Sequence, residues 1–248
     1  MHVELIGSTS AGKTTLAKRI VQAGRNRGLD IYLSDDFILE RNHLDWIRNE
    51  FIRRRLVELV AFAACITCIH RYREFLSFVF REGGHLQGSR IYRINRIRNV
   101  IRKIGVFELI TRWSDVRQVI LADNEGVLQG LHNLFIHRKG DTDVRKISRY
   151  IELAPVPDAV LYIQQDVNIL LERTLKRGHA RLMGGTQDEV VHFIQQAVIM
   201  FNSLIQIMKV RERLLIIGGN QDIQLTAEKI LDTNFRPQWE TTGGNDSP

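Results

Sequence analysis

Five short apolar runs along the chain have the length and the β-branched composition of buried parallel strands. They span residues 3–6, 31–33, 119–121, 159–163 and 214–217. Apolar residues recur at helical spacing after the first, fourth and fifth runs, over residues 14–25, 167–177 and 226–233. Because strands alternate with helices, the pattern predicts an α/β fold in three layers, with a five-stranded parallel sheet and right-handed crossovers.

A long segment separates the second and third predicted strands, and it exceeds what a single crossover needs. Its apolar pattern predicts one long helix or two over residues 44–72, a break at Gly83 and Gly84, and another helix over residues 91–104. The chain is therefore expected to have three parts: a core (residues 1–39 and 117–236), a helical insertion between the second and third strands (residues 40–116) and a disordered tail (residues 237–248).

The segment Gly7-Ser8-Thr9-Ser10-Ala11-Gly12-Lys13-Thr14 matches the pattern G-x-x-x-x-G-K-[ST] in full, and it lies between a predicted strand and a predicted helix. Its glycines allow the backbone N–H groups to point inward, where they and the helix N-terminus bind phosphate oxygens. Lys13 is expected to reach the β- and γ-phosphates of ATP, and the Thr14 hydroxyl to contact Mg²⁺. The residues expected to bind the nucleotide are Gly7, Ser8, Thr9, Ser10, Ala11, Gly12, Lys13, Thr14 and Thr15.

Two further segments carry a resemblance to a known family. Residues 157–163 read P-D-A-V-L-Y-I, and residues 170–178 read L-L-E-R-T-L-K-R-G. They resemble the thymidylate kinase-like and nucleoside kinase-like group of P-loop kinases, in which a P-D-x-x-x-Y-L strand precedes a helix ending E-R-x-x-x-R-G. The resemblance covers about residues 1–37 and 117–235. It implies a P-loop kinase fold, an ATP-dependent phosphotransferase activity and a mobile lid that begins at the end of this helix.

Arg173, Arg177 and Arg181 recur at intervals of four residues around the start of the expected lid. A kinase must neutralise the charge that spreads over the transferred phosphoryl group while it excludes water, and arginines on a closing lid do both. Arg177 is the first candidate for this role, followed by Arg173 and Arg181. The alternative is a solvated basic helix face with no catalytic role.

Asp35 and Asp36 follow the second predicted strand, at the edge where ligands bind to open parallel sheets. A carboxylate there can accept the proton of a substrate hydroxyl or hold the hydroxyl by a hydrogen bond. Similar kinases of nucleosides, antibiotics and small metabolites carry an acid at this place, so Asp36 is the candidate general base and Asp35 the alternate. One of the two could instead cap the next helix.

The tetrapeptide Asp123-Asn124-Glu125-Gly126 follows the third predicted strand, where related kinases place a carboxylate near the magnesium ion or the substrate. Asp123 is the first residue out of the strand and is the preferred candidate, also as a magnesium ligand, and Glu125 is the alternative. No arginine follows the acid, which departs from the thymidylate kinase pattern and disfavours thymidylate as the acceptor. The Asp-Asn-Glu order also fits poorly with the paired acids of a P-loop NTPase that acts as a switch or motor.

The insertion holds the positive charge of the chain. The formal net charge is +7, while residues 40–117 contain sixteen Arg and Lys against eight Asp and Glu. Six basic residues lie among isoleucines in one predicted helix, namely Arg90, Arg93, Arg96, Arg98, Arg102 and Lys103. A solvated basic face, an anionic acceptor, a nucleic acid and an acidic membrane surface would each explain this pattern. We favour an anionic or bulky acceptor over nucleic acid, because aromatic residues do not alternate with the arginines.

Cysteine content and hydropathy indicate the cellular compartment that we expect for the protein. Cys65 and Cys68 are too few for a disulfide framework, so we expect a reducing cytoplasm, and their place in an apolar run predicts burial rather than metal or redox chemistry. The longest apolar stretch, residues 56–69, is interrupted by Glu58 and is shorter than the about 20 residues of a membrane span, so no transmembrane segment is expected. A homodimer is compatible with these features.

Together these features favour an ATP-dependent kinase of a small molecule, with a hydroxyl acceptor such as a nucleoside, a sugar or an antibiotic. If the acceptor were a nucleoside monophosphate, arginines rather than Asp36 would hold it. A P-loop NTPase that binds nucleic acid through the insertion is the competing hypothesis from another class. An inactive kinase-like binding module is disfavoured by the intact Lys13 and Thr14. The insertion is expected to decide which acceptor binds.

Overall fold

The structure, a computed structural model, describes residues 1–86, 89–123, 126–137, 140–177, 186–219 and 221–234. Five strands form one parallel sheet: β1 (His2–Ile6), β2 (Ile31–Leu33), β3 (Val119–Ala122), β4 (Ala159–Gln164) and β5 (Leu214–Gly218). Their order across the sheet is β2-β3-β1-β4-β5. The five strands predicted from the sequence are confirmed, each to within one residue at either end.

Helices connect the strands and pack against the sheet. They are α1 (Lys13–Asn26), α2 (Ser34–Arg41), α3 (Glu50–Cys68), α4 (Arg73–Gly84), α5 (Arg90–Trp113), α6 (Val127–Phe135), α7 (Val144–Leu153), α8 (Val167–Arg177), α9 (Gln187–Leu204), α10 (Met208–Arg211) and α11 (Ile223–Asn234). The segment between β2 and β3 consists of helices α2 to α5. The predicted architecture is therefore confirmed: an α/β fold with a five-stranded parallel sheet and a helical insertion between the second and third strands.

The strand order brings three connecting loops to one edge of the sheet. β1 is central and pairs in parallel with β3, where Glu4 lies beside Ala122. β2 pairs in parallel with the other side of β3, where Leu33 lies beside Leu121. Since parallel strands end at the same edge, the residues that follow β1, β2 and β3 emerge close to one another. Ligands bind at this edge in open α/β sheets.

The insertion packs through α3 and α5, which lie against each other at close range. A side chain at Gly105 of α5 would come within 1.8 Å of the Ala61 carbonyl oxygen of α3, so this approach requires glycine. The predicted apolar side of α5 is only partly buried. Ile104 is fully buried, whereas Ile91 and Ile94 are 72% and 60% exposed. The first turns of α5 therefore lie outside the core.

The start of α3 also differs from the prediction of a helix from residue 44. The helix begins at Glu50, because the Asn49 side chain accepts hydrogen bonds from the backbone N–H groups of Phe51 and Ile52. An asparagine in this role satisfies two donors that have no partner within the helix. A side-chain cap, rather than the apolar periodicity, thus sets this boundary.

Helix α6 illustrates why the apolar pattern failed to predict some elements. Almost every residue of Val127–Phe135 is buried, including the polar Gln129 and His132. A helix that is covered all round shows no periodic change between apolar and polar positions. The sequence pattern therefore did not distinguish α6 from a loop. Helices α4, α7 and α9 were likewise not predicted.

Cys65 and Cys68 are free and buried in α3. Burial raises the pKa of the Cys65 thiol to about 11, and it also raises the pKa of Cys68. Neither side chain therefore has thiolate character at neutral pH, which agrees with the prediction that both are small apolar core residues. Across the described part of the chain, no helix combines the length and the apolar character needed to span a bilayer.

Folding stability is expected to fall in acid because of His2. Its imidazole is buried against Phe107, with ring centroids 5.1 Å apart, and neither ring nitrogen has a hydrogen-bond partner in the described structure. Burial lowers the pKa of His2 from 6.5 to about 4, and the Asp158 carboxylate offsets only part of that effect. The unfolded chain therefore takes up this proton first as the pH falls. Stability of about 2–3 kcal/mol should be lost between pH 6.5 and pH 4.

Urea denaturation of wild type and His2→Leu at pH 7.5 and pH 4.5 measures this loss. The wild type should lose about 2–3 kcal/mol more than the variant between the two pH values. His70→Leu is the matched control, since His70 is exposed. The comparison cancels the contributions of other titrating groups, which the variants share. Equal losses in wild type and His2→Leu would contradict the assignment.

Candidate functional site

The P-loop between β1 and α1 has the backbone geometry of a phosphate cradle. Gly7 and Gly12 have φ angles of 149° and 95°, and Ser10 has a φ of 64°. A side chain at Gly7 would meet the Ile163 carbonyl oxygen of the adjacent β4 at 3.0 Å. The positions of Gly7 and Gly12 favour glycine because L side chains rarely adopt positive φ. Gly12 is also the N-cap of α1, so the helix N-terminus opens into the loop.

Lys13 lies at the centre of this loop. Its Nζ donates to the Gly7 and Ser8 carbonyl oxygens, at 2.9 Å each, and the residue is only 8% exposed. Burial lowers the pKa of Lys13 to about 8; the Asp123 carboxylate raises it in part, and the charges of Lys103 and Arg177 lower it further. A buried cation of this kind gains from a nearby polyanion. Two other candidates from the sequence, Asp123 and Arg177, thus each lie within electrostatic range of Lys13.

The loop also carries hydroxyl groups suited to phosphate and magnesium. The Ser8 hydroxyl is buried and has no hydrogen-bond partner in the described structure, which is unusual for a buried polar atom. Thr14 and Thr15, at the start of α1, are exposed. An anion bound by the loop would satisfy Ser8, and an exposed Thr14 is accessible to a cation. The residues present therefore fit a nucleotide with Mg²⁺. Among the residues that the structure describes, no group of three His, Cys, Asp or Glu side chains forms a metal site of its own.

The two aspartates lie in the first turn of α2, directly after β2. Neither occupies the N-cap, which is Leu33 and makes no side-chain cap, so the alternative that one of them caps the helix is wrong. Asp36 forms an ion pair with Arg53 of α3 at 2.5 Å, and Asp35 pairs with Arg102 of α5 at 3.5 Å. Both cations belong to the insertion. Arg53 was not singled out from the sequence, although it opens a run of three arginines.

Helix α8 approaches the P-loop from the opposite side. The buried Thr174 hydroxyl donates to the Ser10 hydroxyl at 3.1 Å, which joins the helix to the loop. Arg173 and Arg177 flank this contact in the sequence, and both side chains are exposed. Arg181 lies outside the described residues, as do the predicted lid after Gly178 and the tail at residues 237–248. The structure therefore places two of the three candidate arginines on the helix that contacts the P-loop.

The acid after β3 is described only at its first position. Asp123 directly follows the strand and is partly exposed. Asn124 and Glu125 lie outside the described residues, so the choice between Asp123 and Glu125 is not tested. Gly126, the next described residue, is the N-cap of α6.

A cavity of about 420 Å³ opens beside the P-loop. It lies between the start of α1, the Arg173 side of α8 and the segment that follows β5. Its lining residues are Ala11, Gly12, Leu16, Ile163, Arg173, Ile217, Gly218, Gly219, Gln221, Ile223 and Thr226. Apolar walls with a few polar groups, and a volume in this range, are typical of small-molecule sites. This cavity could not be predicted from the sequence, because its walls come from four separate parts of the chain.

The basic helix α5 is less available to an external polyanion than its sequence suggests. Lys103 is fully buried, and Arg96 is buried while it donates to the Asn133 carbonyl oxygen at 2.8 Å and to the Tyr92 hydroxyl at 2.7 Å. Arg98 pairs with Glu58 of α3 at 3.1 Å. Several of the charges therefore hold the insertion together, and Arg96 and Lys103 do not belong to a solvated basic face.

No known protein family matches the chain, and no curated protein matches it. A deoxyadenosine kinase from M. mycoides with bound dATP is similar in structure, with a TM-score of 0.46 and 10% identity over 95% of this chain and 100% of that chain. Its structures with dCMP and a flexible dCDP, and with dCTP, have TM-scores of 0.44 and 0.42, each at 11% identity over 94% of this chain and 97% of that chain. At these TM-scores the likeness decides nothing about its chemistry.

Proposed function

We propose that the chain is an ATP-dependent phosphotransferase that transfers a phosphoryl group to a hydroxyl of a small molecule. One observation carries the proposal: a buried P-loop lysine and a pair of aspartates follow strands that end at the same edge of one sheet. The loop provides a site for phosphates, and the aspartates provide a proton acceptor. Nucleotide binding alone would not require the acids.

The cavity beside the P-loop is the proposed site of the donor's base. Leu16, Ile163 and Ile217 offer apolar walls for a planar ring, and Gln221 and Thr226 offer polar groups at its edge. Because Ala11 and Gly12 line both the cavity and the P-loop, a base in the cavity would lead its phosphates into the loop. A nucleoside triphosphate, rather than free phosphate, is therefore the proposed donor.

Thr14 and Asp123 are the proposed contacts for Mg²⁺ with its water shell. When bound, the ion would neutralise phosphate charge and orient the donor. In the transfer itself, Asp36 accepts the proton of the acceptor hydroxyl. The oxygen of that hydroxyl then forms the new bond to the γ-phosphorus. The bond to the bridging oxygen breaks, and ADP leaves with the electron pair. Lys13 and Arg177 are proposed to stabilise the charge that develops on the transferred group.

The nucleic-acid hypothesis is disfavoured by the contacts of α5. Arg96 and Lys103 are buried, and Arg98 and Arg102 pair with acids, so these charges contribute little to an external basic face. A monophosphate acceptor would need cations of the insertion to bind its phosphate. Arg53 and Arg102 lie in a suitable place, but each is already paired with an aspartate. A neutral hydroxyl acceptor is therefore preferred.

ADP release from ATP and Mg²⁺, measured across a panel of acceptors, tests the proposal. The panel contains nucleosides, nucleoside monophosphates, sugars and aminoglycosides, and mass spectrometry identifies any phosphorylated product. We expect ADP release that depends on a hydroxyl acceptor and equals product formation. Rapid ATP hydrolysis without an acceptor, increased by DNA or RNA and suppressed steeply by salt, would instead support the NTPase hypothesis.

A further inference from the structure

Gln129 of α6 contacts the first glycine of the P-loop. Its Oε1 accepts a hydrogen bond from the Gly7 backbone N–H at 3.2 Å, and the residue is 7% exposed. Gly7 has a φ of 149°, so the orientation of its peptide depends on the contacts around it. Lys13 donates to the carbonyl oxygen of the same residue. The amide of Gln129 therefore holds one side of Gly7 while the lysine holds the other.

The position of Gln129 is set in turn by Glu4, a buried carboxylate in the strand that leads into the loop. The carboxylate accepts from the backbone N–H of Gln129 at 2.6 Å and from that of Leu128 at 3.2 Å, at the N-terminus of α6. Any side chain at Gly126 would come within 1.9 Å of the Glu4 carboxyl carbon. Strand β1 thus contacts the N-terminus of helix α6 through Glu4, and this contact requires both Glu4 and Gly126.

Glu4 is shielded from solvent and lies near other charged and polar groups. Its side chain is fully buried, and burial raises its pKa to about 7, although the N–H groups of α6 and the charge of Lys103 of α5 oppose this effect. Burial raises the pKa of Tyr150 of α7, and the nearby Glu4 carboxylate raises it further. The Tyr150 hydroxyl donates to the Val127 carbonyl oxygen at 2.8 Å. A buried acid without these N–H donors and the charge of Lys103 would be costly to keep. The same acid with them fixes the N-terminus of α6.

We propose that Gln129 is a positioning residue for phosphate binding, and that Glu4 orients it. The pair holds the Gly7 peptide so that the loop is organised before the nucleotide arrives. Preorganisation of this kind raises affinity because the ordering is not required at the moment of binding. The inference rests on the proposed donor site but adds residues outside the P-loop motif.

Isothermal titration calorimetry with MgADP, which needs no acceptor, measures the affinity of wild type, Gln129→Leu and Tyr150→Phe. Gln129→Leu removes the acceptor for the Gly7 N–H at similar volume, and we expect affinity for MgADP to fall roughly 5- to 20-fold. Tyr150→Phe is the matched control: it also removes one buried hydrogen bond to α6, yet leaves the Gly7 contact intact. Its affinity should stay within about twofold of wild type.

The hydrogen-exchange rate of the Gly7 amide, measured by NMR, gives a second readout. A general loss of stability would raise the exchange rates of many amides and not that of Gly7 alone. Exchange at Gly7 should accelerate in Gln129→Leu and stay unchanged in Tyr150→Phe. Glu4→Gln retains one acceptor oxygen and should give a smaller loss of affinity than Gln129→Leu. Equal affinity for MgADP in wild type and Gln129→Leu would overturn the inference. Equal losses of affinity in Gln129→Leu and Tyr150→Phe would overturn it as well. Absence of MgADP binding by the wild type would overturn the proposed donor site itself.

Discussion

Lys13→Ala is expected to abolish phosphoryl transfer, with turnover reduced by roughly 10³-fold or more. Lys13 is the buried cation of the P-loop and contacts the carbonyl oxygens of Gly7 and Ser8. In the proposed complex it exchanges these contacts for phosphate oxygens. Its removal would therefore leave the developing charge of the transferred group without its central partner.

The loss in Lys13→Ala should not come from unfolding. Burial lowers the pKa of Lys13 to about 8, below its value in the unfolded chain, so keeping it charged at neutral pH opposes folding. Removing the charge relieves that cost. Urea denaturation should therefore show a variant about as stable as wild type. Lys18→Ala is the matched control, since Lys18 is an exposed lysine of the same helix and should retain full turnover. Near-normal turnover in Lys13→Ala would exclude the donor site as proposed.

Asp36→Asn is expected to lower kcat by roughly 10²- to 10⁴-fold while affinity for ATP stays nearly unchanged. Asparagine keeps the shape of the side chain but cannot accept a proton. Asp36 lies in α2, outside the P-loop, so its loss should not disturb phosphate binding. The variant would be measured with the acceptor that the screen identifies, and KM for ATP would be determined beside kcat.

Two comparisons separate the role of Asp36 from that of its surroundings. Asp45→Asn changes an exposed acid of the insertion, nine residues after Asp36, and should leave kcat unchanged. Asp35→Asn tests the alternate base. The Asp35 side chain is 33% exposed and paired with Arg102, and the Asp36 side chain is 42% exposed and paired with Arg53. A larger loss of kcat in Asp35→Asn than in Asp36→Asn would move the role of base to Asp35. Wild-type turnover in Asp36→Asn would rule out the assignment.

The ion pairs of the two aspartates suggest how the insertion is coupled to the reaction. Arg53 and Arg102 come from different helices of the insertion, and each contacts one acid after β2. An acceptor that displaces either pair would need to replace its hydrogen bonds. The insertion and Asp36 are therefore expected to act as one unit, and variants of Arg53 should change the preference for the acceptor as well as the rate.

The sheet could be predicted closely because its signal is local. Each strand is a short buried run of β-branched residues, and the burial that selects those residues acts on consecutive positions. The P-loop was equally clear, since its spacing places Lys13 and Thr14 at the start of a helix. Helix α6 was not predicted, because a helix buried on all sides leaves no periodic pattern.

The sequence by itself determined the sheet, the P-loop and the positions of the acids that follow the strands. These features depend on neighbouring residues and on a spacing that is characteristic of phosphate binding. Only the tertiary structure decided which side chains meet. The ion pair between Asp36 and Arg53, and the hydrogen bonds that join Glu4, Gln129 and Gly7, connect separate helices and strands. Such contacts depend on how those elements pack, and no local pattern in the sequence encodes them.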